Sequence, residues 1–346
     1  MARFGGKSGP SLRPLPGSRP TLLKRLMLPP VPDIPYEQIF RAEIDTISVN
    51  QLDDKFVVLL ASCHDDAMEG GMLDEFPGPD GSEGPREVTS DLKRVWKTTA
   101  VYEQIAEDHP RLVRFDRRDP FFGVPILNMP STTLEDFLDR HKSTMYDADT
   151  NRIVPKYRPL IYQWALHLIS GLSFVHSKDV VFGDLRIEVC WLEKDLSLKL
   201  LGFLDAVYQA PRFGTRYINQ LGRYEQEQFH PCHKPRWDSL LATTQTDLFV
   251  WGCLIYQLMT GFWPGHERQR SDAEIRAMFV SRQWPSLEPE YLGGIVRKCW
   301  DYQYRDVEHL KTDLIRFLTD EGWEVDGDEL RGFRATELFL DEAGIS

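Results

Sequence analysis

The spacing of apolar residues changes character once along the chain. Between Phe40 and Met129 the apolar residues come in short runs rich in β-branched side chains, a pattern typical of strands. From Thr133 onward they recur at helical spacing over longer stretches. A small β-rich part followed by a larger helical part predicts an α+β fold of two lobes rather than two independent domains.

The same runs predict where the elements lie. Strands are expected at 46–52, 56–60, 112–115 and 124–129, with one helix (91–107) among them. Later helices are expected at 134–141, 159–176, 246–260, 272–282, 291–300 and 307–317, followed by a short terminal helix at 336–343.

Composition narrows the class of protein. Of 346 residues 42% are hydrophobic and 27% charged, which allows a sizeable core and excludes global disorder. The net charge of −12 argues against nucleic acid as a partner, because phosphate binding needs a basic face. The five scattered cysteines, without a CxxC pair, suit reduced thiols, so we expect an intracellular protein, cytoplasmic or nuclear. No run reaches the roughly 18 apolar residues of a membrane span.

Two stretches differ in composition from the rest. Residues 1–35, rich in proline and glycine and basic through Pro32, predict a disordered tail; their prolines break the amphipathic helix of an organellar presequence. The acidic residues 62–91 predict a surface loop, either a solvated linker or a partner-binding segment. The predicted plan is a tail (1–35), a small lobe (36–130), a large lobe (131–320) and an extension (321–346).

Three segments of the large lobe carry a recognisable pattern. In 180–192 an apolar pair leads into a turn that holds Asp184, and an apolar strand follows; 198–206 contains Gly202-Phe203-Leu204; 246–264 contains Asp247. In order and spacing they resemble the catalytic loop, metal-binding segment and central helix of eukaryotic protein kinases, including the divergent kinase-like proteins of filamentous fungi. The resemblance covers roughly 40–318 and implies a bilobal kinase-like fold with its hinge at 128–130.

The 246–264 segment is the most specific part of the resemblance. It implies that Asp247 begins a buried central helix and accepts backbone hydrogen bonds from the catalytic loop, with Trp251 and Gly252 as structural residues. The alternative is an acidic residue that merely suits the positive end of a helix dipole. Both are structural roles, so this segment indicates the fold and not an activity.

Phosphoryl transfer requires a glycine loop, a strand lysine, its helical glutamate partner, two metal ligands and a catalytic aspartate. The expected glycine loop, 40–53, contains no glycine. Among these catalytic positions only Asp184 keeps the residue that the resemblance expects. The positions that depart are Leu59 for the lysine, Thr98 for the glutamate, Phe182 and Gly183 for His-Arg, Val189 for the asparagine, and Gly202 for the metal-binding aspartate.

The rate enhancement that the remaining residues could supply argues against catalysis. A general base alone supplies about 10²–10⁴ in rate, whereas enzymes supply about 10⁶–10¹⁷. We therefore expect a pseudokinase that acts as an interaction or scaffold module for protein partners, with Asp184 a vestigial, solvent-facing residue. No cofactor or metal is expected; ATP and Mg²⁺ would bind only if the chain were active.

Two alternatives remain open. An active, divergent serine/threonine kinase would use Asp184 as base and would need Lys55 or Lys93 as its lysine and Asp205 as its metal ligand. A small-molecule phosphotransferase of the aminoglycoside or choline type would share the turn 183–185, but the metal ligands of that class are missing here.

Two other features are better explained as ordinary surface residues than as functional sites. The cluster His230-Pro231-Cys232-His233 contains zinc-binding residue types without a second pair nearby, so an exposed loop within 202–246 is the better interpretation. Glu103, which lies over a turn beyond Thr98, is expected on the exposed face of its helix.

Overall fold

The computed structural model describes residues 40–61, 90–209, 216–217, 242–268 and 270–344. Its small lobe is a five-stranded sheet of order β1-β2-β3-β5-β4 in which all neighbours are antiparallel. The strands are β1 (Arg41–Ile44), β2 (Ile47–Gln51), β3 (Phe56–Ala61), β4 (Phe115–Arg118) and β5 (Pro125–Asn128).

One helix, α1 (Ser90–Ile105), packs on this sheet against β3 and β5. Alternate residues of β2 are buried, as expected for a strand with one face on a core. The predicted strand at 112–115 is wrong, because Leu112 and Val113 instead pair with Leu200 of the large lobe. The strand β4 begins only at Phe115.

The large lobe is mainly helical and is organised around the helix α4. Its helices are α2 (Leu134–Met145), α3 (Arg158–Ser177), α4 (Thr244–Thr260), α5 (Asp272–Val280), α6 (Gly293–Trp300) and α7 (Val307–Asp320). Short 3-10 turns lie at Pro155–Tyr157, Ile187–Val189 and Pro289–Tyr291. Short strands are β6 (Thr132–Thr133), β7 (Tyr146–Asp147), β8 (Arg152–Ile153), β9 (Cys190–Leu192), β10 (Leu198–Leu200), β11 (Tyr208–Gln209) and β12 (Arg216–Tyr217).

Helix α4 is the most deeply placed of these helices. Twelve of its 17 residues are buried, and it contacts both α3 and α6. Its ends are set locally: Thr243 and Thr246 form a capping box, and Gly261, at φ 76°, ends it in the left-handed conformation. The element order and the buried α4 give the α+β, two-lobed, protein-kinase-like fold that the sequence predicts.

The C-terminal extension packs on the large lobe, where the Phe339 ring contacts those of Phe137 and Tyr157. A hairpin of β13 (Val325–Asp326) and β14 (Glu329–Leu330) is followed by a 3-10 helix at Ala335–Gly344, where the sequence predicts a terminal helix. The Gln163 side chain accepts from the Leu330 amide at 2.7 Å and donates to the Asp328 carbonyl at 2.6 Å. The hairpin itself has no counterpart in the predicted elements.

No helix within the part of the chain that the structure describes has the length and apolarity to cross a membrane.

Candidate functional site

The candidate site lies where the β1–β2 turn, α1 and the loop after α3 meet between the lobes. Arg94 and Lys97 come from α1, one helical turn apart on a face that also carries Thr98. Asp184 and Arg186 come from the loop, and Asp205 follows β10. Asp45 forms the tip of the β1–β2 turn with φ 61°.

Asp45 is held by two arginines. Arg186 donates from Nη1 to Oδ1 at 2.8 Å and from Nη2 to Oδ2 at 2.7 Å, which is a two-pronged contact. Arg94 Nη2 lies 3.3 Å from Oδ2 of the same carboxylate. A residue of the small-lobe sheet is therefore joined to the large-lobe loop by a short ion pair.

The two remaining carboxylates complete the network. Arg94 binds Asp205 at 2.6 Å from Nη2 to Oδ2 and at 3.2 Å from Nε to Oδ1. Arg186 Nε lies 3.0 Å from the Asp184 carboxylate. Asp184, Asp205, Arg94 and Arg186 are each at most 7% exposed, so these charges interact with little solvent screening.

Lys97 is the remaining cation of this cluster. Its Nζ is buried and has no hydrogen-bond partner within the described part of the chain. Burial lowers the pKa of Lys97 to about 8, and the charge of Asp205 partly opposes this shift. Burial likewise raises the pKa of Asp184 to about 7, with Arg186 opposing.

The loop that carries Asp184 is anchored by Asp247 of α4. The Asp247 carboxylate accepts from the Phe182 amide at 2.8 Å and from the Gly183 amide at 2.9 Å. His176 Nε2 lies 2.8 Å from the same carboxylate. Since Asp247 is only 2% exposed, this is a buried acceptor for specific amides rather than a surface acid near a helix end.

The other two structural residues of α4 also lie in the core. Trp251 is fully buried. A Cβ on Gly252 would lie 2.8 Å from Cβ of Cys299, so a glycine is what lets α4 approach α6 this closely.

Gly183 has a steric role of its own. Its φ is +83°, and a Cβ there would lie 2.3 Å from the carbonyl oxygen of Asp205. This close approach accompanies the bridge between Val181 and Val207, which holds the two segments side by side. Any larger residue at position 183 would push Asp205 away from Arg94.

The other positions that depart from the kinase pattern are occupied by packing residues. Leu59 is fully buried within β3, and Val189 is 2% exposed. Phe182 packs edge-on against Phe203. Thr98 Oγ1 accepts from the Phe203 amide at 3.4 Å, and the Gly202 amide donates to Tyr102 Oη at 3.2 Å.

These residues do not fit a Mg²⁺–ATP complex. Val189 and Gly202 offer no ligand atom at two of the positions where the resemblance expects a metal to be held. The carboxylate of Asp205 is engaged by Arg94. Leu59 brings no charge to a phosphate.

The residues considered as substitutes lie elsewhere or are engaged. Lys55 and Lys93 are exposed, on the β2–β3 turn and the first turn of α1. Glu103 is exposed and lies 3.6 Å from Arg118. The His230–His233 cluster is outside the described residues.

The segment that joins the lobes offers no free backbone donor. The Asn128 amide donates to Arg114 O at 2.9 Å, Met129 to Lys55 O at 2.7 Å and Ser131 to Leu192 O at 3.0 Å. Pro130 has no N–H. A ligand lying in the cleft against residues 128–131 would therefore find no unpaired amide there.

A second cluster of metal-binding residue types lies away from the cleft. His167, Asp328 and Glu329 are close enough to share an ion. However, Arg111 Nε and Nη2 bind the Asp328 carboxylate at 2.8 and 2.9 Å, and Nη2 also binds Glu329. The guanidinium neutralises these acids, so we assign the cluster to attachment of the C-terminal hairpin.

The structure corrects one expectation about Asp184. It was expected to face solvent as a vestigial residue, but it is 5% exposed and paired to Arg186. The reason is that the β1–β2 turn and α1 close over the loop. Sequence reasoning also missed Asp45, Arg94, Lys97 and Arg186; the only local signal is the helical spacing of the two cations on the Thr98 face of α1.

Comparison with known proteins gives a weak kinase relationship. No family model matches the chain. A probable serine/threonine-protein kinase of Dictyostelium discoideum is 22% identical over 149 residues, which are 42% of this chain and 10% of that protein. The chain thus spans about a tenth of that relative. This supports a kinase-like domain, while the particular resemblance to proteins of filamentous fungi receives no support from it.

Proposed function

We propose that this chain is a pseudokinase, a kinase-like protein that does not transfer phosphate and acts through contacts with protein partners. The observation that carries the proposal is the internal pairing of the cleft. Arg94 occupies the carboxylate of Asp205, and Arg186 occupies that of Asp184. The two carboxylates that a divergent kinase would need are thereby engaged by the chain itself.

The energetic cost of freeing these groups supports the proposal. Breaking a buried ion pair by removing one partner costs about 3–5 kcal/mol. At about 1.4 kcal/mol per tenfold change, a metal–nucleotide complex that had to displace Arg94 would lose two to four orders of magnitude in affinity. A dissociation constant of about 1 μM would become about 0.1–10 mM.

A protein-binding role is supported by the surface of the small lobe. Trp96 on α1 is 40% exposed, and Phe121 and Phe122 in the β4–β5 turn are 72% and 39% exposed. Trp96 Nε1 donates to the Phe122 carbonyl at 2.7 Å, so these aromatic groups form one patch. Exposed aromatic patches are more common at protein contacts than elsewhere on a surface.

The test is a thermal-shift titration with ATP and Mg²⁺, run beside an active protein kinase as a positive control. We expect no Mg²⁺-dependent rise in the unfolding midpoint at micromolar ATP, although bound ligand would produce one by mass action. A radiolabelled phosphotransfer assay of wild type and Asp184→Asn accompanies it. Phosphotransfer that wild type shows and the folded Asp184→Asn variant lacks would establish the active-kinase alternative instead.

A further inference from the structure

The carboxylate of Asp45 is bound in the way that proteins bind external anions. Both of its oxygens receive hydrogen bonds from the two terminal nitrogens of Arg186, at 2.8 and 2.7 Å, and Arg94 adds a third contact at 3.3 Å. The planar guanidinium fork matches carboxylate and phosphate oxygens equally well. The two arginines thus form an anion-binding arrangement, and the anion that it holds is a side chain of the same protein.

Lys97 provides an independent sign that the site is built for an anion. Its buried Nζ has no hydrogen-bond partner among the residues described, although a buried ammonium group normally requires one. Lys97 interacts electrostatically with Asp205, Arg94 and Asp184, so it belongs to the same cluster. A ligand with more oxygen atoms than a carboxylate would offer this amine the acceptor that it lacks.

The charge balance permits an exchange of occupants. The cluster contains three cations (Arg94, Lys97, Arg186) and three carboxylates (Asp45, Asp184, Asp205). Asp91 and Glu188 lie at its rim, 3.5 and 3.6 Å from Arg94 and Arg186. Withdrawing Asp45 leaves a cationic excess in the buried part, which a phosphate group would restore to balance.

Asp45 is also the member of the network that can leave most easily. It sits at the tip of a two-residue turn, and among the described strands β1 is an edge strand that pairs with β2 alone. The φ of 61° at Asp45 is the left-handed conformation that tight hairpin turns use, so the turn can keep its shape when its tip moves. The Asp45 side chain is 15% exposed, which gives solvent a path to the site.

We propose that Arg94 and Arg186 form an anion-binding site, which the chain fills with its own Asp45. When the β1–β2 turn moves away, the site binds the phosphate groups of a small polyphosphate, and no divalent metal is needed. This deepens the proposed function and rests on it, because the cations take the place that Mg²⁺ would hold in an active kinase. Since the backbone amides of 128–131 are all hydrogen-bonded within the chain, a nucleoside base adds no affinity there. Inorganic pyrophosphate and ATP therefore bind with similar affinity.

The decisive experiment compares wild type with Asp45→Asn by calorimetric titration with inorganic pyrophosphate and, separately, with ATP, both in EDTA. If the turn is docked in at least nine of ten molecules, Asp45→Asn binds about tenfold more tightly or better. Asp54→Asn, an exposed aspartate in the next turn of the sheet, is the matched control and behaves as wild type. Adding Arg186→Gln to Asp45→Asn removes the gain.

The outcomes separate this proposal from the proposed function. A folded Asp45→Asn protein with no gain for pyrophosphate over wild type overturns the anion site. Binding by wild type that requires Mg²⁺ and is specific for ATP contradicts the pseudokinase assignment, while the EDTA titrations still decide the anion site.

A measurement on wild type covers the case in which Asp45→Asn does not fold. Hydrogen–deuterium exchange is followed at the amides of 44–47 as pyrophosphate is raised into the millimolar range. If pyrophosphate displaces the turn, the amides of 44–47 should exchange severalfold faster, while the exchange rates of the β3 amides stay unchanged. Unchanged exchange across the whole titration overturns the proposal.

Discussion

Replacing Asp247 by alanine tests most directly how the loop that carries Asp184 is anchored. The substitution removes one buried carboxylate and leaves the amides of Phe182 and Gly183 without acceptors. His176, at 9% side-chain exposure, can turn toward water and so contributes less. The Phe182 contact is buried and the Gly183 contact is partly buried, so solvent can replace the lost acceptor only in part.

The expected loss follows from the two orphaned amides. Leaving a buried donor unsatisfied costs about 1–3 kcal/mol, so the Phe182 amide gives about that much and the partly buried Gly183 amide adds a smaller loss. Domains of this kind have a free energy of unfolding of about 5–15 kcal/mol, so Asp247→Ala removes a large share of the stability. Asp247→Asn keeps one acceptor oxygen and should lose roughly half as much.

The assay is equilibrium unfolding in urea followed by tryptophan fluorescence. Asp136→Ala serves as the matched control, because Asp136 is an exposed acid in the first turn of α2 and therefore measures a helix-dipole effect alone, about 0.3–1 kcal/mol. We expect losses in the order Asp247→Ala, Asp247→Asn, Asp136→Ala. If Asp247→Ala lost no more than Asp136→Ala, the anchoring argument would be refuted.

Three further predictions concern separate parts of the structure. Gly183→Ala should lose about 2 kcal/mol or more of unfolding free energy in urea, because its φ is positive and a Cβ would lie 2.3 Å from the Asp205 carbonyl oxygen. A loss below about 0.5 kcal/mol, the size of a neutral surface change, would contradict this. For Asp184, burial raises the pKa from 3.8 to about 7, so its contribution to stability is full below about pH 4 and is lost as pH rises through 7. Over this range the free energy of unfolding of wild type should fall relative to that of Asp184→Asn. Parallel pH profiles of the two proteins would contradict this prediction. Arg111→Gln should expose the hairpin at 325–330 to limited proteolysis, because Arg111 binds the Asp328 carboxylate of that hairpin. Burial raises the pKa of Asp328, but Arg111 outweighs burial and lowers that pKa to about 2. Cleavage at the wild-type rate would show that other contacts suffice to hold the hairpin.

Local patterns were enough to predict most of the elements. The helices at 159–176 and 246–260 agree with α3 and α4 to within two residues at each end, because their apolar spacing and caps are encoded within one or two turns. The strand at 112–115 failed because its residues pair across the lobes. An apolar run of four residues cannot show which neighbour it will meet.

Sequence alone therefore determined the α+β order of elements and which residues of the kinase pattern are absent from the chain, since both depend on residue identity and local period. The tertiary structure alone decided what replaced them. Arg94 and Asp205 are 111 residues apart, and Arg186 and Asp45 are 141 apart. Such pairs form only when packing of the two lobes brings the β1–β2 turn and α1 over the loop, and their strength comes from the burial that this packing creates.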